Sequence, residues 1–387
     1  MWWCLVLGAG CAPRWSAEVG DGVTVQRAHA LKQGAGPLTE LSFELLVTAE
    51  DGAPVDCDGQ ELDLDVVIHL ADGSTVPVKA KDLQVRCEDE AVADVSLVLD
   101  NSGSQAGVLG EVREGSTRLV DTVLGTGGRV SLVRASTFSQ PLTDVTEDEG
   151  TLLEAIDGMF VNAGWTALWD AVRMGNETLE AAPSPDPTPA CLTRRSAELV
   201  LFTNGVDNNS DEARLTRDGA GDGVDTTLED VLALAVQGAP TPIHTIGLGD
   251  DLDSQLLAEI SAATGGGHLA VQRGEAIDAA FELVATWVGE QRRVCTEVEL
   301  PACEPVEVEI TYDFRGKRKC NQGLGNGWEG CDPGDSNHTN PSNDEPDSPG
   351  RGNGDPQSDA AGTGPDELVE IHGTQTVVVV VPCDEEG

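Results

Sequence analysis

The sequence predicts an α/β protein: a doubly wound, mostly parallel sheet over residues 93–290, flanked by β-rich, sandwich-like segments and a disordered acidic segment. Three observations carry this expectation. Short continuous apolar runs such as Val95–Leu99 alternate with stretches of helical periodicity, the pattern of strands buried on both faces and covered by helices. On either side, apolar and polar residues alternate with a period of two, as half-buried strands require. Finally, Asp332 to Glu367 contains no Leu, Ile, Val, Met or aromatic residue and cannot bury enough surface to fold.

Taken in order, the first β-rich segment covers residues 20–90. Leu41, Phe43 and Leu45 alternate with polar neighbours, as do Leu62, Leu64, Val66, Ile68 and Leu70. Asp72-Gly73 then predicts a hairpin turn into Thr75–Val78. In 93–290, Val108, Leu109, Val112, Leu119, Val120, Val123 and Leu124 recur at helical spacing, and Val130–Val133 reads as a strand. A second helix carries Leu152, Leu153, Ile156, Met159 and Phe160. Leu199–Phe202 and Ile243–Ile246 are further buried strands; Leu228–Val236, Leu256–Ala263 (stopped by Gly265–Gly267) and Ala276–Val288 are further helices. The β pattern resumes over 294–320, where Val306, Val308, Ile310, Tyr312 and Phe314 alternate. Residues 320–367 are rich in Cys, Gly, Asn and Asp, and 368–383 supplies a last strand around Thr376–Val381. That strand needs a partner, so the flanks are expected to form one sandwich interrupted by the α/β domain.

Charge narrows the function. With 23 basic and 68 acidic residues the formal charge is −45, which argues against nucleic acid and against unassisted docking on an anionic membrane. Residues 1–11 form a short apolar run, well under the roughly 20 residues that span a bilayer, and read as a signal peptide. Leu7-Gly8-Ala9-Gly10-Cys11 resembles a bacterial lipobox, with Cys11 the residue to be lipidated and a membrane approached only through that anchor; ordinary secretion is the alternative. Of the 10 cysteines, Cys57, Cys87, Cys191, Cys295, Cys303, Cys320, Cys331 and Cys383 would remain after processing, an even number that suits disulfides in an oxidising compartment. By spacing, Cys295/Cys303 and Cys320/Cys331 look like loop staples and Cys57/Cys87 like a hairpin closure. Connectivity stays open.

The chemistry concentrates after the first buried strand, in Asp100-Asn101-Ser102-Gly103-Ser104. Carboxyl ends of central parallel strands are where such sheets bind ligands. One carboxylate and two hydroxyls over five residues suit a hard cation such as Mg²⁺, which takes oxygen ligands and keeps some water. Here the chain resembles the von Willebrand factor type A family, and this loop is similar to the family's metal-ion-dependent adhesion site. The likeness continues through Gly128–Val133, Gln140–Asp144, Gly164-Trp-Thr-Ala-Leu-Trp-Asp-Ala-Val172, Glu198–Gly205, Ile243–Gly249 and Leu257–Gly267, about half the chain in the same order. It implies a metal held by Asp100, Ser102, Ser104, Thr166 and Asn204. The family usually has Asp at the last position; Asn204 removes one negative charge while keeping an oxygen ligand. The resemblance also implies Mg²⁺, Mn²⁺ or Ca²⁺ as cofactor, and a protein partner whose acidic side chain completes the coordination.

Two more residues are candidates for contact with that partner. Trp165 precedes Thr166 in a loop, and Asp207 lies three residues after Asn204, near enough in sequence to make up its missing charge. Trp169 reads as helix core. The acidic stretches Asp207–Glu212 and Asp218–Asp225 read as solvated loop in preference to a Ca²⁺ loop, whose spacing they do not match. His69 and His244 sit in strand patterns and read as packed or edge residues. No G-x-S-x-G, no phosphate loop and no Cys/His pair is present, so no enzyme is expected. The sequence therefore predicts a cell-envelope protein that binds a partner through a divalent cation. The alternative is a structural envelope protein whose type A domain packs without metal.

Overall fold

The structure is a computed structural model, and it describes residues 22–32, 38–48, 61–86, 92–161, 164–183, 191, 195–204, 207–208, 210, 226–233, 241–249, 254–271, 277–289, 292–317, 368–381 and 383. Cys11, Cys57, Cys87, Cys320, Cys331 and the acidic segment 332–367 lie outside these residues, so the expectations made for them are not addressed.

The first segment supplies β1 (Gly22–Lys32), β2 (Leu38–Thr48), β3 (Glu61–His69), β4 (Thr75–Val78) and β5 (Gln84–Arg86). β3 and β4 form the expected hairpin. Gly73 takes φ +83°, and Asp72 Oδ1 accepts from Ser74 N and Oγ at 2.8 and 2.5 Å. Those two donors hold the Asp72 carboxyl below its usual pKa.

The α/β region follows: β6 (Ala93–Asp100), α1 (Leu109–Gly125), β7 (Arg129–Ala135), β8 (Gln140–Pro141), α2 (Glu149–Gly158), α3 (Leu168–Glu180), β9 (Ser196–Thr203), α4 (Leu228–Ala233), β10 (Ile243–Leu248), α5 (Ser254–Thr264), β11 (His268–Val271) and α6 (Ile277–Gly289). The sheet order is β11-β10-β9-β6-β7-β8, parallel throughout except at β8. Alternation along β6 sorts the two layers. Val95, Leu97 and Leu99 pack with α1, α2 and α6, while Val98 joins the layer of α3, α4 and α5. α3 lies close to the sheet because Gly175 has no Cβ; one would sit 2.9 Å from Ser96 Oγ and 3.0 Å from Val98 Cγ2. The helix expected to carry Phe160 stops earlier. α2 ends at Gly158, and Met159 is extended (ψ 141°), which throws Phe160 out to solvent.

β12 (Arg292–Glu299), β13 (Pro305–Lys317) and β14 (Leu368–Val380) return to the flanking architecture. β12 inserts between β2 and β5, and β13 between β14 and β3, giving antiparallel sheets β1-β2-β12-β5 and β14-β13-β3-β4. Phe43 and Leu45 of one sheet and Val66, Ile68, Val308, Ile310 and Phe314 of the other share one core, so the flanks close on each other as a sandwich.

The disulfides correct one expectation. Cys295 does not staple to Cys303; it bonds Cys191, 104 residues away, while Cys303 bonds Cys383 across 80 residues. The reason is strand direction. β12 carries Cys295 back beside β2 and the α/β region, whereas Cys303 lies at the turn into β13, where its N–H donates to Val381 O at 3.1 Å. The Cys191–Cys295 bond ties the α/β domain to the sandwich. Arg293 reinforces it, donating to Cys191 O at 3.1 Å and to Glu44 Oε1 at 2.6 Å. Pairs of this kind persist in oxidising compartments, which suits an extracellular or exported protein. No helix among the described residues is long and apolar enough to cross a membrane.

Candidate metal centre

β6 occupies the place where the sheet's winding reverses, with β7 on one side and β9 on the other. The crevice beyond its carboxyl end is the ligand position of open parallel sheets. Asp100 ends β6 there, fully buried. Its Oδ1 accepts from Ser102 N at 2.9 Å and its Oδ2 from Thr203 Oγ1 at 2.8 Å, both neutral donors. A 3-10 turn over Gly103–Gly107 folds Ser104 back beside Ser102, with the two hydroxyls 2.9 Å apart. Ser104 Oγ then donates to Asn204 Oδ1 at 2.6 Å, joining the loop after β6 to the loop after β9. Three of the five predicted ligands, Ser102, Ser104 and Asn204, thus form one chain of side-chain oxygens, and Asp100 joins it through the Ser102 N–H.

Thr166 reaches the same edge by another route. Its N–H donates to Asn208 Oδ1 at 2.8 Å and its carbonyl accepts from Asn208 N at 3.0 Å, which latches the loop before α3 to the segment after Asn204. On the other side Ala167 N donates to Ser136 O at 2.9 Å, and Ser139 Oγ to Ala167 O at 2.6 Å. Sequence reasoning missed Asn208 and Thr203. Thr203 had a signal, as the residue before Asn204 at the end of a strand beside β6; Asn208 had none, since only the folded loops bring it to Thr166.

Asp207 is placed differently from its prediction as a ligand contact. Ala167 gives α3 no side-chain cap, and Asp207 does this from a distance: Oδ1 accepts from Leu168 N at 2.7 Å and Trp169 N at 3.3 Å. Ser210 donates to the same carboxylate through its hydroxyl and, at 3.4 Å, through its N–H. Burial pushes the Asp207 carboxyl above its usual pKa, against those hydrogen bonds. A carboxylate committed to a helix terminus is a poor substitute for the charge missing at Asn204. Trp169 is core, as read from the sequence, and Trp165 is exposed. His244, fully buried, accepts from Gly267 N at Nδ1 (3.0 Å), leaving Nε2 to donate to Glu198 Oε2 at 3.1 Å.

The donor set suits a hard divalent cation: one carboxylate, three hydroxyls and an amide oxygen, with no thiolate or imidazole. Among the described residues no cation pairs with Asp100, and a buried carboxylate answered only by neutral donors gains when a cation arrives. Nor do the described residues hold a cluster of three or more His, Cys, Asp or Glu placed for a metal, so any ion here would rest on hydroxyls.

No family profile and no curated protein matches the sequence. Solved structures do, and the three that follow are at low identity. The von Willebrand domain of the type V pilus tip protein Mfa5 from Porphyromonas gingivalis is 15% identical, with a TM-score of 0.39 over 51% of this chain and 94% of that one. A von Willebrand factor type A protein from Catenulispora acidiphila is 12% identical over 77% and 69% of the two chains, with a TM-score of 0.40. Proximal thread matrix protein 1 of the mussel byssus, solved with a zinc-occupied adhesion motif, is 14% identical over 57% and 51%, with a TM-score of 0.41. In class, the chain is an α/β protein built on an open, mostly parallel six-stranded sheet, and what it does rests on its own side chains.

Proposed function

We propose that this exported protein binds a protein partner through a divalent cation held by Asp100, Ser102, Ser104, Thr166 and Asn204. Mg²⁺ is the first candidate, with Mn²⁺ and Ca²⁺ as alternatives, and an acidic side chain of the partner completes the coordination. The observation that carries this reading is Asp100: a fully buried carboxylate at the winding reversal, met by neutral donors and continued by the Ser102–Ser104–Asn204 chain. With one protein carboxylate the ion keeps more attraction for an external one than it would with two. The reading includes attachment to the cell envelope through lipid at Cys11, no catalysis and no nucleic acid.

A second reading has one observation in its favour. The Ser102, Ser104 and Asn204 oxygens already satisfy one another, which is how a structural envelope protein would hold these loops without metal. Calorimetric titration of the metal-stripped mature chain with Mg²⁺, Mn²⁺ and Ca²⁺, beside Asp100→Ala, separates them. Saturable heat that disappears in the variant supports the metal centre. An absence of heat with all three ions favours the structural reading.

A further inference from the structure

Edge strands offer unpaired N–H and C=O groups, and most edges of this molecule are closed off. β4 has four residues and includes Pro77, β5 has three, β8 has two and ends at Pro141, and β11 has four. β1 is long but breaks its register with a bulge between Val25 and Arg27. β14 differs from all of them. It runs 13 residues against β13 without a register shift, and Leu368–Val380 holds no Lys, Arg or Pro. Among the described residues it pairs with β13 alone; β1 comes near from the opposing sheet but is laddered to β2.

The register says which backbone groups are open. Val381 N donates to Glu304 O at 3.1 Å, and Pro305, opposite Val380, has no N–H to give. Bonded and non-bonded pairs alternate along an antiparallel ladder, so Val377 and Val379 bond β13. The N–H and C=O of Thr374, Thr376 and Val378 therefore point the other way, at the open edge. Beside that edge the outer face of the sheet is acidic. Glu370 of β14, Glu307, Glu309 and Asp313 of β13, and Asp63 and Asp65 of β3 lie in its cross-strand rows. Arg315 is the one arginine in those rows, already shared by Asp313 (3.8 Å) and Glu370 (3.7 Å), and they contain no lysine. His69 and His372 approach Glu309 and Asp313, which leaves Asp63, Asp65 and Glu307 without a cation among the described residues.

We propose that the open edge of β14 takes an extended segment of a protein partner as a fifth strand, with Lys or Arg outward and β-branched apolar residues inward. An extended chain is what answers a row of N–H and C=O groups. Its inward residues continue the core rows of Val377 and Val379. Its outward residues stand beside Thr374, Thr376 and Val378, which are exposed and short, so a long cationic side chain leans across them to Glu307 and Glu309. A second copy of β14 fits less well, because it brings Glu370 and no Lys or Arg to this acidic face. The edge belongs to the sandwich, and binding there needs no metal.

The test uses the full-length, oxidised chain and two blocked synthetic peptides, one alternating Val with Lys and the other Val with Glu. The Lys peptide should bind at least about tenfold more tightly, lose affinity as salt rises, and bind equally with Mg²⁺ or with chelator. In residue-resolved hydrogen exchange, the amides of Thr374, Thr376 and Val378 should exchange fast in the free chain and slow down with the Lys peptide. Those of Val377 and Val379 should be slow throughout. Thr376→Pro removes an edge N–H that β13 does not use, so it should keep a near wild-type denaturation midpoint and bind the Lys peptide at least about fivefold more weakly. The double variant Glu307→Gln with Glu309→Gln should keep the exchange pattern and lose much of the preference for Lys over Glu. Equal binding of the two peptides by the wild type overturns the proposal, as does Lys-peptide binding that leaves the three edge amides unprotected. Sedimentation showing a dimer that Thr376→Pro makes monomeric would assign the edge to a second copy of the chain, and would also overturn it.

Discussion

β6 carries an aspartate at each end, and the two are treated oppositely. Asp94 opens the strand and is met by two arginines: Arg129 grips it with Nε at 2.8 Å and Nη2 at 2.6 Å, and Arg195 Nη1 lies at 3.5 Å. The pairing is tight enough to raise the Arg129 guanidinium above its usual pKa. Asp100 closes the strand, is more deeply buried, and receives a backbone N–H and a threonine hydroxyl. One charge is met by arginines within the fold; among the described residues the other meets only neutral donors. On the proposed reading, an acid that only holds the fold together looks like Asp94 and an acid kept for binding looks like Asp100.

The largest effect that could break this contrast is on stability at the Asp94 end. Asp94→Ala strands Arg129 and Arg195 in a mostly buried place and should cost about 2–3 kcal/mol, somewhat less than a fully buried pair. Denaturant midpoints measure it, and Mg²⁺ uptake should be unaffected. At the other end, a hundredfold excess of Mg²⁺ over its dissociation constant should stabilise the wild type by about 2.7 kcal/mol and Asp100→Asn by nothing. The metal-free Asp100→Asn protein should be no less stable than metal-free wild type; a large loss would make Asp100 a second Asp94. Next in size, Asn204→Asp puts a second carboxylate against Ser104 and should tighten Mg²⁺ by about tenfold, or about 1.4 kcal/mol, in a calorimetric titration.

The smallest expected effect concerns pH and Asp207. Burial raises its folded pKa above the unfolded value near 3.8. A raised carboxyl contributes stability that is present below the unfolded value and lost as pH rises through the folded one. Asn at this position keeps an acceptor for Leu168 N and has no proton to lose. Stability of Asp207→Asn relative to wild type should therefore climb as pH rises from the unfolded value near 3.8 through the raised folded one, in paired denaturation curves. A flat difference would mean that the Asp207 charge is answered by a partner, as Asp94 is.

What the sequence made legible follows the range of the physics involved. The run Val95–Leu99 and the alternation of Val306 to Phe314 are local patterns, and β6 and β13 form where they predict. Asp100, Ser102 and Ser104 are brought together by one short turn, and Asn204 by the end of the neighbouring strand, so their cluster was readable too. The capping of α3 by Asp207 was not legible, because it depends on a loop 39 residues along the chain. Phe160 was misread because its helical spacing says nothing of the extended residue, Met159, that ends the helix first. The cysteines failed for the same reason as Asp207: Cys295 and Cys303 are near in sequence, but β12 and the turn after it face different neighbours.

The way β12 and β13 slot between strands of the first segment also sets an order of assembly. Glu44 of β2 meets Arg293 of β12 across 249 residues, and β3 waits for β13 across a comparable stretch. As the chain is threaded out from its amino end, β1 to β5 emerge first with half a sandwich and no means of closing it. The α/β unit, whose strands pair across no more than 103 residues, can condense before them. Closing a loop of that length is slow and yields nothing until both ends arrive, so the sandwich is the last part to form and the part most exposed to wrong pairing while the chain is unfinished.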